Sequence, residues 1–551
     1  MTVTEAPRDT ALEAAAPSLS APPTGLAAVV GSGDPRTIGK LFVGTSLLFL
    51  VASAVAGALV GIEQYDSAGN EIFGAATAVR VFTLHETTLL FLGLLPLLVG
   101  LATAVVPLQV GAATLAFPRA SAAAYWVWLV SGGLVLASYG IDGGPYGTEL
   151  DAVGLYIAGL VTVAVALTVA TISVVTTVLT LRAPSMTVRR TPLFPWSMVV
   201  GGTVWLLTLP VLGGVLLLTY LDLRYGQQFL GGADGVYDRV AWLFWQPTLY
   251  MAAVPALGII ADVVPVFARR RHQRHAGAMF LLGLAAALGF GAWAQLGVSI
   301  DGSIAPTPWL YDGPWIVVGV AAVVPVLGLL GLWTRTLAKG KVRLGTPLIL
   351  AQFAGLLVLV GVAAGVATVI EDLELVGTTW MTAQTLLVLT GAVVAGLAGV
   401  AFWAPKLYGK LVPDGFTRLG GTLVFLGALV AAVPQAVAGL AFDQARFFAG
   451  GVGTVDAGDL DTVETLDLVS GVGLAVVALG LLVAGLALAR RRSGEGPGND
   501  PWDGHTLEWA TSSPPAIGSF ASLPPITSEA PLYDARHAAQ AAATDSTEAS
   551  S

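Results

Sequence analysis

The sequence predicts an all-α polytopic membrane protein, and three observations carry that prediction. Of the 551 residues 55% are apolar and only 11% charged, whereas a soluble chain uses roughly 25% charged residues to cover its surface. The mean hydropathy is +0.79 over the whole length, which requires many membrane spans. The apolar runs continue for about twenty residues or more with Gly and Ala throughout, and do not break into the roughly ten-residue alternating segments of a β-barrel.

Residues 1–37 are rich in Ala, Pro, Thr and Ser. They lack apolar periodicity and the basic start and compact apolar stretch of a signal peptide, so they are predicted to form a disordered cytoplasmic segment. Apolar spans follow at 41–62, 81–106, 122–141, 152–181, 197–220, 240–267, 277–299, 314–334, 344–370, 379–404, 418–441 and 467–489. Each can cross a hydrocarbon layer about 30 Å thick, which gives twelve helices in a membrane domain at 38–490. After Arg490, Arg491 and Arg492 the chain turns to Gly, Pro, Ser, Asp and Thr. Such a composition buries too little surface to fold by itself, and 491–551 are predicted to be a disordered cytoplasmic tail.

An even number of spans puts both termini on one side, and the basic residues say which. Of the 26 Lys and Arg residues only Arg80, Arg224, Arg239 and Arg446 fall on the far side. Retention of Lys and Arg in the cytoplasm therefore makes both termini cytoplasmic. The opposite loops carry Glu63, Asp66, Glu71, Asp142, Glu149, Asp222, Glu371, Asp372, Asp459 and Asp461, among others. They offer a surface for a basic redox partner, although exclusion of Lys and Arg alone leaves acidic loops. The net charge of −9 gives no reason to expect nucleic acid.

The chain has no Cys and five His: His85, His272, His275, His505 and His537. Disulfides, thiolate metal sites and iron–sulfur clusters are excluded, and any metal would have to use His, Met or carboxylate. His272 and His275, in RRRHQRH, read as part of a solvated basic loop near anionic lipid.

The second span reads FTLHETTLLFLGLLPLLVGLATAVVPLQVGAATLAFPR from Phe82 to Arg119. It resembles the second helix of haem–copper oxidase subunit I, the catalytic subunit of cytochrome c and quinol oxidases. The likeness continues through LYIAGL at Leu155, TTVLTLRAPSMT at Thr176, PLFPWSMVV at Pro192, TLPVLGG at Thr208, WLFWQPTLY at Trp242 and FWAPKLYGK at Phe402. It covers about residues 38–490. The resemblance implies twelve helices around three pores, a low-spin haem, a high-spin haem and a copper ion held by six His. It also implies oxygen reduction with proton pumping, and work alongside further membrane subunits.

Position by position, most of that chemistry is missing. His85 stands where the family binds its low-spin haem. On the sixth span Gln246 takes a copper-ligand position, Thr248 replaces the proton-shuttling Glu, and Tyr250 keeps the tyrosine. On the seventh span Gln295 and Leu296 replace two more copper ligands. On the tenth, the two haem-iron His positions fall at Gln384 and Leu386, and 378–405 contain no His in any register. An amide is a poor copper ligand beside imidazole, so no copper site is expected. The Gln side chains predict a small hydrogen-bonded cavity in its place. Thr114 stands where the family places an Asp, and no Lys lies in the eighth span. The interior offers chiefly His85, Glu86 and Asp262 for a proton relay.

The sequence therefore reads as a subunit I-like protein of an electron-transport complex in a bacterial plasma membrane, without its own oxygen-reducing centre. One alternative is a single-haem electron-transfer subunit using His85, with Met381 as a second axial ligand and Arg446 near the haem propionates. The other is a small-ligand binding or transport module on the same scaffold. In each case one haem is the most the ligands allow.

Overall fold

The structure, a computed structural model, describes residues 25–63, 73–229, 236–290, 292, 295, 313, 317–444, 455, 458–490, 498–516, 518–520 and 522–548; for 75, 76, 236–246, 290, 371 and 543–548 only the backbone is described. The long helices are α1 (Pro35–Glu63), α2 (Thr77–Val110), α3 (Pro118–Tyr139), α4 (Leu150–Thr180), α5 (Leu193–Tyr225) and α6 (Val236–Phe267). They continue as α7 (His275–Phe290), α8 (Val317–Ala338), α9 (Thr346–Ala367), α10 (Thr379–Tyr408), α11 (Asp414–Ala441) and α12 (Leu460–Ala489). Among the described residues eleven stretches are long and apolar enough to cross a membrane, and α7 is a shorter apolar helix.

The helices pack chiefly on their chain neighbours, and α12 returns to α1. Short connections make such antiparallel neighbours the simplest arrangement. Three helices turn inward. Of the most apolar stretch, 94% is buried in α2, 100% in α6 and 89% in α10, against 33% in α5 and in α8. The inward helices are spaced by four along the chain, and they carry most of the positions singled out in the sequence.

Close approach depends on glycine. A Cβ on Gly61 of α1 would lie 2.4 Å from Gly471 Cα of α12, so the two backbones touch as small-residue pairs in membrane bundles do. In α2, residues Thr88–Leu94 form a π-helical segment directly after His85 and Thr87, a local rewinding that recurs at functional sites.

Two expectations from composition are corrected. Residues 1–24 lie outside the described part, and α1 begins at Pro35, where Asp34 accepts from Arg36 N and Thr37 Oγ1. The larger difference is the tail. Leu507–Ala510 form a 3₁₀ turn in which Leu507, Glu508 and Trp509 are buried, and Pro531–Glu548 form a further helix, α13. Glu508 Oε1 accepts from Gln109 Nε2 of α2 at 3.2 Å and from Trp403 Nε1 of α10 at 3.1 Å. Lys406 Nζ donates to the carbonyls of Asn499 and Thr511, each at 2.8 Å. Read from sequence as a loop charge, Lys406 is instead 1% exposed. The tail cannot fold alone, but it folds against polar groups left at the ends of the inward helices.

Nor are His272 and His275 solvated. His272 Nε2 faces the Ala261 carbonyl at 2.8 Å and His275 Nε2 that of Thr191 at 3.0 Å. Carbonyls only accept, so both rings carry their proton on Nε2.

Gly471→Val drives a larger side chain into the backbone of α1, an overpacking worth about 1–3 kcal/mol. It is expected to lower the thermal unfolding midpoint in detergent, whereas Gly485→Val, at a glycine with open space around it, leaves the midpoint in place.

Tail docking is expected to weaken in acid. Burial, with Arg536, His272 and His537 nearby, holds the His505 imidazole of the tail down to about 3. An undocked tail binds a further proton between that value and the ordinary 6.5. The His505 contribution to docking is therefore fully present above pH 6.5 and falls by about 1.4 kcal/mol for each pH unit below it. Burial pushes the Glu508 carboxyl up, which acts in the opposite sense, so the His contribution is isolated by substitution. The protection of the 498–512 amides against hydrogen exchange, relative to their intrinsic rate at each pH, should fall more steeply from pH 6.5 to pH 4 in the wild type than in His505→Gln. Equal slopes would refute the assignment.

Candidate functional site

Two polar centres lie inside the bundle. The first surrounds His85 on α2. Its Nδ1 is 2.7 Å from the Ser53 carbonyl of α1, and Ser53 Oγ donates back to the His85 carbonyl at 2.9 Å. Because a carbonyl can only accept, Nδ1 carries the proton and Nε2 keeps its lone pair. That is the tautomer of a metal-binding imidazole. The ring lies against α1 at Gly57, where a Cβ would be 2.8 Å from His85 Cε1. Glycine is what lets the imidazole fit.

A cavity of about 60 Å³ adjoins His85, walled by α1, α2, α10, α11 and α12. Leu386 of α10 and Gln435 of α11 are part of that wall. Gln435 Nε2 and Gln444 Nε2 each donate to the Asp467 carboxylate at 2.7 Å. Asp467 is 3% exposed near the start of α12, and the two amides are what make a carboxylate tolerable there. Sequence reasoning missed this pair. The available signal was a lone Asp in the twelfth span with a Gln in the eleventh.

The second centre gathers around Gln295, which follows α7. Tyr250 Oη of α6 donates to Gln295 Oε1 at 2.9 Å, and Gln384 Nε2 of α10 approaches the same oxygen at 3.4 Å. Gln295 Nε2 donates to the Gly319 carbonyl of α8 at 3.1 Å, and Thr368 Oγ1, at the end of α9, donates to the Gln295 carbonyl at 2.6 Å. At Gly365 of α9 a Cβ would fall 2.4 Å from Gln384 Nε2 and 2.6 Å from Gln295 Oε1. The amides of Gln295 and Gln384 therefore close on one another and on Tyr250, while the cavity expected at the copper position also involves Gln246, whose side chain lies outside the described residues. Among the described residues, Gln384 Oε1 finds no hydrogen-bond partner.

The two tenth-span positions thus divide, with Gln384 meeting Gln295 and Leu386 facing the His85 cavity. Met381 is buried, and its sulfur accepts from Gly377 N at 3.4 Å within its own first turn. Thr248 is buried beside Tyr250 in sequence. Leu296 and Arg446 lie outside the described residues, as does the side chain of Gln246. Asp262 proves to be a structural anchor. It accepts from Leu193 N at 3.0 Å, Phe194 N at 3.3 Å and Gln109 Nε2 at 2.8 Å, so a carboxylate holds the N-terminus of α5 from a neighbouring helix.

Comparison with known proteins agrees with this architecture. The family model described as cytochrome c and quinol oxidase polypeptide I matches residues 37–476. The chain is similar to cytochrome c oxidase subunit 1 of Bacillus subtilis, at 32% identity over 524 residues that cover 89% of this chain and 81% of the relative. It is similar to the putative cytochrome c oxidase subunit 1-beta of Streptomyces coelicolor, at 30% identity over 532 residues covering 92% and 89%. A cryo-EM structure of a haem–copper terminal oxidase dimer shares the fold, with a TM-score of 0.65 over 83% of this chain and 85% of that one, at 15% identity.

Gln295→Leu removes the acceptor of Tyr250 and of the Gln384 amide while leaving both buried. The cost of stranding such groups is about 1–3 kcal/mol each. A clear fall in the unfolding midpoint of the detergent-solubilised chain is expected, larger than that of Tyr250→Phe, which removes one donor and leaves Gln295 its other contacts. A midpoint unchanged in Gln295→Leu would show that the network contributes nothing.

Proposed function

The chain belongs to the cytochrome c and quinol oxidase polypeptide I family, and we propose that it serves as a membrane subunit of an electron-transport complex without an oxygen-reducing centre of its own. The observation that supports this reading most is the donor set around Gln295. Copper takes imidazole nitrogen and soft sulfur, whereas the groups that meet here are two neutral amides and a phenol already bonded to one another. These residues do not fit a copper ion. The family works with further membrane subunits in a bilayer, and the acidic loops would receive a basic redox partner. The basic loops and the tail are assigned to the cytoplasm on the distribution of Lys and Arg.

His85 supports a second, narrower reading as the single-haem subunit. Its tautomer suits an axial ligand and its ring borders a cavity. The cavity itself does not fit the group. At about 60 Å³ it is far below the roughly 300–1,000 Å³ of pockets that take a ligand of drug size, and Leu386 offers no second ligand. A haem there would require the wall to open, with one haem the most this chain could hold.

Purified chain, examined by the pyridine haemochrome spectrum and by elemental copper analysis of the same sample, separates these readings. Copper at background with no haem is expected for the first. One haem per chain, lost in His85→Ala, would favour the second. Two haems with one copper would overturn both.

A further inference from the structure

A separate feature lies on the face that carries the basic loops. Four segments far apart in sequence surround an open crevice of about 1070 Å³, at the upper end of ligand-pocket volumes. Arg190 comes from the connection before α5, Arg269, Arg270 and Arg271 from the end of α6, and Lys339 and Lys341 from the connection before α9. The tail closes the fourth side through Thr527 to Glu529 and the start of α13, bringing Glu529 and Asp534. Six cationic groups against two carboxylates leave a formal charge of +4.

Little of that charge is neutralised. Arg271 Nη1 pairs with Asp534 at 3.1 Å. Arg190 Nη1 and Arg270 Nη1 donate to the main-chain carbonyls of Ile526 and Lys339, each at 2.9 Å, which orients the guanidinium groups but supplies no counter-charge. Among the described residues Arg269, Lys339 and Lys341 form no ion pair. His272 and His275 also line the crevice, and burial holds both imidazoles well below their ordinary value, so they add no fixed charge.

The fold nevertheless fixes these like charges together. Lys341 N donates to Ala268 O at 3.0 Å and Arg343 N to Phe267 O at 2.8 Å, so two basic connections are joined by main-chain hydrogen bonds. Arg269 is held at φ +50°, in the left-handed region that a non-glycine residue adopts at a cost. Membrane orientation needs basic residues only on one side. It does not need them drawn around one concavity with a tail folded over it. Preorganised cations around a concave site are the arrangement that recognises phosphate oxygens.

We propose that this crevice binds a ligand carrying two or more clustered phosphate groups. A free polyphosphate and the headgroup of a diphosphate lipid present the same chemistry, and the experiment distinguishes them. Full-length chain in phosphatidylcholine nanodiscs is treated with an amine-acetylating reagent, and the rates at Lys339, Lys341 and the exposed Lys410 are read by mass spectrometry. With inorganic tripolyphosphate, protection of about five-fold or more at Lys339 and Lys341, and none at Lys410, assigns a soluble ligand. The same protection produced by cardiolipin in the disc, without tripolyphosphate, assigns a lipid headgroup. Protection by neither, or equal protection at all three lysines, overturns the proposal. Equilibrium dialysis of labelled tripolyphosphate against the double variant Lys339→Ala, Lys341→Ala should show about ten-fold weaker binding, restored by Lys339→Arg, Lys341→Arg. The footprint on the wild type decides the matter even if that variant fails to fold.

Discussion

A polar group buried in an apolar helix bundle has to find its partner inside the protein, because neither lipid nor bulk water supplies one. The interior of this chain is arranged by that constraint. Gln295 meets it by joining α6, α8, α10 and the end of α9 through one side chain and its carbonyl. Asp262 meets it by taking three donors from α2 and α5. Asp467 meets it with two amides. Each is a polar residue whose neighbours are polar in compensation, and each ties together helices that apolar packing alone would leave free to slide.

On the proposed reading, in which Gln295 and Gln384 stand where the family holds metal ligands, the same constraint accounts for glutamine at those positions. An imidazole that binds a metal gives its lone pair to the metal and its N–H to the protein. Take the metal away, and the lone pair is left buried without a donor. Glutamine brings both a donor and an acceptor on a side chain of similar reach, so two amides and a phenol can satisfy one another, with Gly365 leaving the space. His85 is retained under a different condition. Its N–H is taken by the Ser53 carbonyl, its ring is accommodated by Gly57, and its side chain borders a cavity.

The membrane architecture was legible because hydropathy over a span averages many residues, so that a buried Asp467 or Gln435 does not hide a helix. That averaging also concealed them, since one Asp at the start of the apolar run 467–489 leaves the mean almost unchanged. His85, Tyr250, Gln295, Gln384 and Leu386 could be found because motifs fixed their positions. Which of them meet could not, because the division between Gln384 and Leu386 depends on how α10 is rotated against α6 and α2. Composition misled most in the tail. Small and polar residues dominate it, but the docking is carried by Leu507, Glu508 and Trp509, and three residues do not move a compositional average. Lys406 misled for a related reason, since a charge near a helix end reads as exposed until its acceptors, carbonyls from a segment some 100 positions away, are seen.

The tail has consequences for the interior as well as for the surface. Gln109 belongs to α2, Asp262 to α6, and Trp403 and Lys406 to α10, the three inward helices that carry His85, Tyr250 and Gln384. Gln109 Nε2 donates both to Asp262 Oδ2 and to Glu508 Oε1, so one amide links a core carboxylate to a tail carboxylate. Trp403 and the carbonyl acceptors of Lys406 complete a clamp across the ends of all three helices. Two carboxylates sharing a donor repel one another if both are charged, a repulsion that the Lys406 ammonium beside Glu508 offsets. A segment that composition marks as dispensable thus holds the register of the helices on which both polar centres depend. Loosening it would be felt at His85 and Gln295 through the rotation of those helices, with no contact between the tail and either residue.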